Sequence, residues 1–402
     1  MLDLLAPEVV SDPHATLREL RERDPVHWSE RHRLWILTRY TDVLAAFKDL
    51  SLSSEHQGTG DLSDPIQRVL RNWMEFRDPP DHARLRRLVQ KAFTPRVVER
   101  LRPRIESLVD GMLEEIAARG GGDYMADFAY PLPATVIAEM LGVPTADQVE
   151  FRGWSEDIKG VVFGAPNTEH RSSRAHSGFL AMEKYFRELV ALYRSRPAEN
   201  LISAMIAAEE GGDYLDEREI LGTSVLLLFG GHETTSNLLS NGLLALDAFP
   251  DQRHKLEADP HLIPQAVEEF LRWEGPTMGM LRLCREDFEL RGRKIRAGQR
   301  LLLHQTAADR DPEQFENPDV VAIERENLNS HLAFGFGRHY CLGAPLARLE
   351  GQIAFDRIIR RFPGLRIEPG PREWQPTLLA RNLARLPVRF AATGTGTGTG
   401  NE

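Results

Sequence analysis

Cysteine is nearly absent from this chain: Cys284 and Cys341 are the only two in 402 residues. Two thiols cannot build a disulfide framework, and their scarcity predicts a reducing, cytoplasmic setting. Excess basic charge is missing too. The 50 Lys and Arg against 60 Asp and Glu leave a net charge of −10. That argues against a nucleic-acid partner, since such proteins normally carry a basic excess. Long apolar runs are also lacking. A stretch such as Val225 to Phe229 is far short of the roughly 18 residues a membrane span needs. Met1 to Asp12 has no basic n-region, and Asp3 and Pro7 break its short apolar run, so neither a signal peptide nor a membrane anchor is expected. No repeat or linker divides the chain. One domain over 1–391 is expected, followed by a tail, 392–402, whose Thr-Gly repeat cannot pack a core and should be disordered.

What is present is an ordinary globular composition, 42% hydrophobic and 27% charged, over a length able to enclose a deep cavity. Periodicity reads as mostly helical, with short strands towards both ends. A helix His14 to Asp24 precedes a hairpin within Val26 to Tyr40, and Thr41-Asp42 stands where it would cap a helix Val43 to Lys48. Ser51 to Pro80 reads as a polar loop of 30 residues, a length that in a compact domain points to function. Helices are predicted at Asp81 to Phe93, Arg96 to Gly120, Pro131 to Leu141, Glu169 to Arg196 and Glu199 to Glu210. Others are predicted at Asp216 to Phe249, Asp251 to Asp259, Pro264 to Trp273 and Pro345 to Phe362. Leu283 to Leu303 reads as strands turning at Arg291-Gly292 and Ala297-Gly298.

The most informative segment is Phe334-Gly335-Phe336-Gly337-Arg338-His339-Tyr340-Cys341-Leu342-Gly343-Ala344-Pro345. Its glycines permit a tight loop whose amides can face a sulfur, and the helix that follows offers its N-terminal dipole to the same atom. Both lower a thiol pKa towards thiolate. A thiolate so held suits haem iron as an axial ligand and favours O–O cleavage. A lone cysteine is more often a buried, inert hydrophobe, and Cys284, in a strand with no glycine around it, keeps that reading.

Phe334-Gly335-x-Gly337-x-His339-x-Cys341-x-Gly343 resembles the haem-binding signature of the cytochrome P-450 family, and Leu346-Ala347-Arg348-x-Glu350 resembles its soluble bacterial members. The resemblance extends from about Trp35 to Phe390. It implies a mainly α, two-lobed fold with small β-sheets. Haem b would lie between the long central helix and the Cys-bearing C-terminal helix, with Cys341 as metal ligand and Phe334, His339 and Gly343 at the cofactor.

Asp216 with Glu219 offers a capping start to the long helix, whose 34 residues would span about 50 Å. Its middle, Gly230-Gly231-His232-Glu233-Thr234-Thr235, is a poor helix sequence, because each Gly costs about 0.8–1.0 kcal/mol against Ala. Two explanations stand: close packing at small residues, or a bulge beside the iron with room for dioxygen and water. By resemblance, Glu233 and Thr234 occupy the positions of the family's proton-delivering acid–alcohol pair, and a carboxylate beside a hydroxyl suits a relay.

Glu269 and Arg272, at i and i+3, match the family's Glu-x-x-Arg, with Arg325 as third member of a buried ion network behind the thiolate loop. That would be support, not catalysis. The propionates of haem need cations, and His82 with Arg86 at i, i+4, together with Arg282 and His339, fall at family positions. Asp309 is a departure, since the family usually has Asn there; it bears on loop bonding and leaves the chemistry untouched.

The expected reaction is monooxygenation of a lipophilic small molecule such as a terpenoid, steroid or polyketide: one atom of O2 enters a C–H or double bond and the other leaves as water. No Gly-x-Gly-x-x-Gly fingerprint supplies a flavin or nicotinamide site. Electrons would therefore reach a monomeric enzyme from NAD(P)H through a ferredoxin reductase and a ferredoxin, docking on a basic patch of Arg84, Arg87, Lys91 and Arg348. Coupling, desaturation or peroxide-driven oxidation remain alternatives. A non-catalytic haem sensor is disfavoured, because it has no need of the acid–alcohol pair. The candidate substrate walls are Trp73, Met74, Phe76, Val161 to Phe163, Phe229, Gly230, Met278, Leu378 and Leu379; any of them could equally be plain core.

Overall fold

The long helix Glu217–Ala248 is the strut on which the rest is hung, 32 residues buried on every side through its middle. The anticipated capping box starts it: Glu219 N donates to Asp216 Oδ1 at 2.8 Å, and Asp216 N donates to Glu219 Oε2 at 3.0 Å. In this computed structural model, which describes residues 2–55, 61–166 and 168–390, the strut packs against helices Pro131–Leu141, Glu169–Ser195, Ile263–Trp273 and Ala344–Arg360. Their apolar stripes meet in one large core that includes Phe128, Phe179, Phe186, Leu239, Phe270 and Phe355. Among the described residues no helix is long and apolar enough to cross a membrane. The Thr-Gly tail lies outside the described residues.

A smaller β lobe sits against this helical one. Its five-stranded sheet runs Val26–Ser29, Leu34–Leu37, Arg300–Leu303, Met280–Cys284, Leu52–Ser53. The second and third strands are parallel, pairing Ile36 with Leu302, and the other neighbours are antiparallel. Beneath it, Trp35, Leu37, Val43, Phe47, Leu301 and Leu303 form a second core. The turns at Arg291-Gly292 and Gly298 take positive φ, as the sequence suggested. A three-stranded sheet, Leu365–Ile367, Pro387–Phe390 and Gly121–Asp123, closes the far end.

Several segments differ from the sequence reading. The helix expected after Thr41-Asp42 begins earlier, at Tyr40, and its first amide is capped from far away by Asp311 Oδ2 at 2.8 Å. Ser51 to Pro80 is not one loop: it holds the edge strand Leu52–Ser53, the helix Pro65–Leu70 and a 3₁₀ turn, Met74–Phe76. Arg96 to Gly120 divides into Pro95–Glu99 and Arg102–Ala118, because Pro103 can sit only in a first turn. Glu199 to Glu210 shortens to Leu201–Ala207, followed by the hairpin Glu209–Glu210 and Asp213–Tyr214, turning on Gly211-Gly212 at φ +62° and +89°. The helix Gln148–Val162 was not anticipated.

Candidate active site

The loop before Cys341 is closed by its own backbone. Cys341 N donates to the Phe334 carbonyl at 3.0 Å and Gly335 N to Leu332 at 2.8 Å. Gly335 and Gly337 sit at φ +69° and +72°, where a side chain would be strained. Gly343 is the residue before helix Ala344–Arg360, and the amides of Gly343 and Ala344 face the Cys341 sulfur. Cys341 is exposed only towards a cavity, so burial still pushes its thiol pKa up; the two amides and Arg86 oppose that shift. Cys284 is buried in its strand, and its sulfur donates to the Glu286 carbonyl at 2.9 Å.

Two ion networks brace this loop. Arg272 clasps Glu269 at 2.7 and 2.8 Å with both side chains fully buried, and Arg325 reaches the same carboxylate at 3.3 Å, so the expected triad is assembled. Arg272 also donates to the carbonyls of Asp309, Pro318 and Val320. The Asp309 side chain in turn accepts from Leu332 N at 2.7 Å, which ties the network to the start of the thiolate loop. Burial holds the Asp309 carboxyl well above the usual range. The departure from Asn is muted, because the carboxyl supplies the acceptor oxygen for Leu332 N.

The second brace corrects the docking patch. Arg348 is bidentate to Glu268 at 2.7 and 2.8 Å, lies over the Phe334 ring at 4.6 Å and donates to Tyr340 Oη at 3.1 Å. It grips both ends of the segment Phe334 to Tyr340 that leads into Cys341 and is not a free surface cation. Arg84 pairs with Glu219, Arg87 with Asp213 at 3.3 Å, and Lys91 donates to the Glu209 carbonyl, so these charges are already committed to the base of the long helix and the hairpin before it.

Across from Cys341 the cavity, about 520 Å³, runs to the long helix at Gly230, Thr234 and Thr235. His82, Arg86, Arg282 and His339 all face it. Arg282 is buried and lies 5.6 Å over Phe47, its pKa pulled down to about 10 first by burial. Neither Arg86 nor Arg282 has a carboxylate partner within ion-pair distance among the described residues. The His82 and His339 rings stand 4.0 Å apart, and burial with the nearby guanidinia pushes His82 down to about 4 and His339 lower still. Two half-buried or buried guanidinia without anions among the described residues, two neutral imidazoles and a cysteine sulfur faced by two amides fit a planar metal cofactor that carries two carboxylates.

The long helix settles its glycines one by one. A Cβ on Gly231 would meet Ile137 at 2.9 Å, so that glycine serves close packing, whereas one on Gly230 would meet nothing within 4 Å and would stand in the cavity. The helix is continuous here, so of the two explanations for its glycines the bulge is not the one the structure shows. Thr234 instead returns its hydroxyl to the Gly230 carbonyl at 2.8 Å. Glu233 does not line the cavity. It points away from it, 3.9 Å from Lys159 Nζ and 3.4 Å from His232 Nε2. Burial raises its pKa, but Lys159, His232 and Arg152 outweigh that and leave it below the usual carboxylate value.

Trp73, Phe76, Phe163, Phe229 and Leu379 line the cavity as anticipated. Met278 does not: its neighbours Thr277 and Met280 do, while Met278 N donates to the Leu379 carbonyl and so holds that wall from outside. Ser54, whose hydroxyl meets His339 Nε2 at 3.1 Å, and Lys159 were missed, because each arrives from an element remote in sequence. Glu75, also missed, sits within the segment read as a polar loop.

Comparison with known proteins bears on the family and the fold. The family described as Cytochrome P450 matches residues 166–377. Cytochrome P450 107B1 of Saccharopolyspora erythraea is 42% identical over 371 residues, covering 89% of each chain. Vitamin D(3) 25-hydroxylase of Pseudonocardia autotrophica is 38% identical, covering 96% of each. The structure of the bacillaene polyketide synthase cytochrome P450 PksS of Bacillus subtilis superposes with a TM-score of 0.90 at 36% identity, over 97% of this chain and 100% of that one.

Proposed function

The chain belongs to the cytochrome P450 family and is an oxygen-incorporating oxidoreductase, and from that footing we propose that it hydroxylates or epoxidises a lipophilic small molecule with haem b held by Cys341. The single observation that carries the proposal is that Cys341 and Thr234 face one another across one largely apolar cavity lined by Arg86 and Arg282, which have no carboxylate partner among the described residues. Haem, when bound, supplies reductive activation of dioxygen. The protein's own work is positioning and proton supply. Arg86, Arg282, His82 and His339 would hold the carboxylates of the cofactor, and the amides of Gly343 and Ala344 favour the anionic form of the sulfur against the opposing effect of burial. Trp73, Phe76, Phe163, Phe229 and Leu379 exclude water and seat the substrate.

Thr234 Oγ1 is the hydroxyl on the cavity wall from which a proton is handed inward. Glu233 gathers protons on the other side of the helix, where Lys159 pairs with the half-exposed Glu156 at 2.7 Å and so connects that carboxylate to solvent. The relatives named for vitamin D and for a polyketide synthase support a bulky, apolar substrate. Electrons are proposed to come from NAD(P)H through a ferredoxin reductase and a ferredoxin.

The test is turnover under ¹⁸O2 with a surrogate ferredoxin pair and a panel of steroids and macrolides. One labelled atom per product molecule is expected. Product formed only with hydrogen peroxide, carrying no label from O2, would assign the chain to peroxide-driven oxidation.

A further inference from the structure

Among the described residues one acid on the cavity wall is left over. Arg86 and Arg282 are two cations for the two carboxylates of the cofactor, on the reading above, and Glu55 is satisfied by Arg285 at 2.9 Å. Glu75, in the turn Met74–Phe76, also faces this cavity, and its carboxyl has no hydrogen-bond or ion-pair partner among the described residues. Arg282 is the cation nearest in influence, yet it donates to the Leu281 carbonyl and lies over Phe47 and makes no bond to Glu75. Burial raises the pKa of Glu75, and an ionised Glu75 would find no partner in a cofactor carboxylate, so the anion in this apolar chamber calls for a cation on the remaining ligand.

The surroundings favour a cation. Phe76 and Trp73 stack with planes 7° apart and centroids at 5.7 Å, and Phe229 lies 6.1 Å from Trp73. All three aromatic residues line the cavity with Glu75. Aromatic faces beside an unpaired carboxylate suit an alkylated ammonium, which gains cation–π attraction and loses little hydration. We propose that Glu75 is the recognition point for an ammonium group on an otherwise lipophilic substrate. The acid sets which end of the molecule lies against the turn Met74–Phe76 and so which carbon faces Thr234.

The proposal rests on the monooxygenase reading, and its test separates the two. Holoenzyme is titrated with decyltrimethylammonium, with its neutral isostere 2,2-dimethyldodecane, and with decanoate. Binding is followed by the haem spin-state shift and, independently of the haem signal, by equilibrium dialysis. The quaternary nitrogen has no lone pair and cannot ligate iron. Wild type should bind the ammonium at least tenfold more tightly than the isostere, with decanoate weakest. Glu75→Gln should abolish that preference while changing affinity for the isostere less than twofold, and Glu75→Asp should fall between. Equal binding of ammonium and isostere by wild type, binding of neither, or a preference that survives in Glu75→Gln overturns the assignment of Glu75. Loss of the thiolate-type carbonyl spectrum from wild type would instead overturn the haem-thiolate reading beneath it.

Discussion

Lys159 holds its ammonium 3.9 Å from the carboxylate of Glu233, on the side of the long helix that faces away from the cavity. Both side chains are nearly inaccessible, 9% and 4% exposed. Lys159 comes from helix Gln148–Val162, so that helix, read in the sequence only for its last residues, sets the charge state of the acid.

The first prediction concerns this pair. In Lys159→Met the largest charge opposing burial is gone, only His232 and Arg152 remain against it, and the Glu233 pKa rises. In wild type the lowered value means that Glu233 contributes stability above the ordinary 4.5, lost as pH falls through its folded pKa. The variant loses part of that contribution at neutral pH, and the difference from wild type disappears once the carboxylate is protonated in both. The loss should be below the ~3–5 kcal/mol of a tight buried pair, because 3.9 Å exceeds hydrogen-bond contact. Thermal unfolding at pH 7 and pH 5 should show the deficit shrinking in acid; a constant deficit would mean the pair is not coupled.

Thr234→Ala should leave the fold intact, since the hydroxyl only supplements a helix carbonyl already within the ladder. It should lose coupling. NAD(P)H consumption continues, hydrogen peroxide rises and product falls severalfold. Tight coupling at the wild-type rate would show that protons reach the cavity by another route.

Arg348→Met should loosen the thiolate loop. Burial raises the Glu268 pKa, but the Arg348 and His331 contacts overcome this and bring it down to about 2. The stability it confers is complete above 4.5 and is lost as pH falls from there through about 2. Removal of Arg348 should cost between the ~1 kcal/mol of an exposed pair and the ~3 kcal/mol of a charged hydrogen bond. The deficit should close across that acid window. A second readout is the reduced carbonyl spectrum, in which part of the variant should move to the band of haem without thiolate. An unaltered spectrum and unchanged stability at pH 7 would return Arg348 to the surface role first read for it.

The sequence made the local parts of the site legible. Gly335, Gly337, Cys341 and Gly343 lie within nine residues, so one loop announces itself, and Asp216 with Glu219 marks the long helix as plainly. What it concealed were side-chain directions and partners. Nothing in Glu233-Thr234 tells that the acid turns outward and the alcohol inward; adjacent helix positions differ by about 100° and only packing chooses which faces the cavity. Nothing near Arg348 announces Glu268, 80 residues away. Met278 shows the converse: its apolar side chain suggested a wall, and the backbone bond to Leu379 is its actual contribution.

Arg282→Ala should weaken haem retention by the ~1.5–3 kcal/mol of a charge-assisted bond. The haem-to-protein ratio after gel filtration, together with thermal stability, measures it. Full occupancy with unchanged stability would place Arg282 outside the cofactor clamp.

The most direct measurement is the reduced carbonyl spectrum of wild type, Cys341→Ser and Cys284→Ala. Wild type and Cys284→Ala should both give the red-shifted Soret band of thiolate ligation, because Cys284 is buried in its strand and bonded to Glu286. Cys341→Ser should lose that band completely while keeping its helical content. A wild-type band in Cys341→Ser, or its loss in Cys284→Ala, would contradict the assignment of Cys341 as the haem ligand.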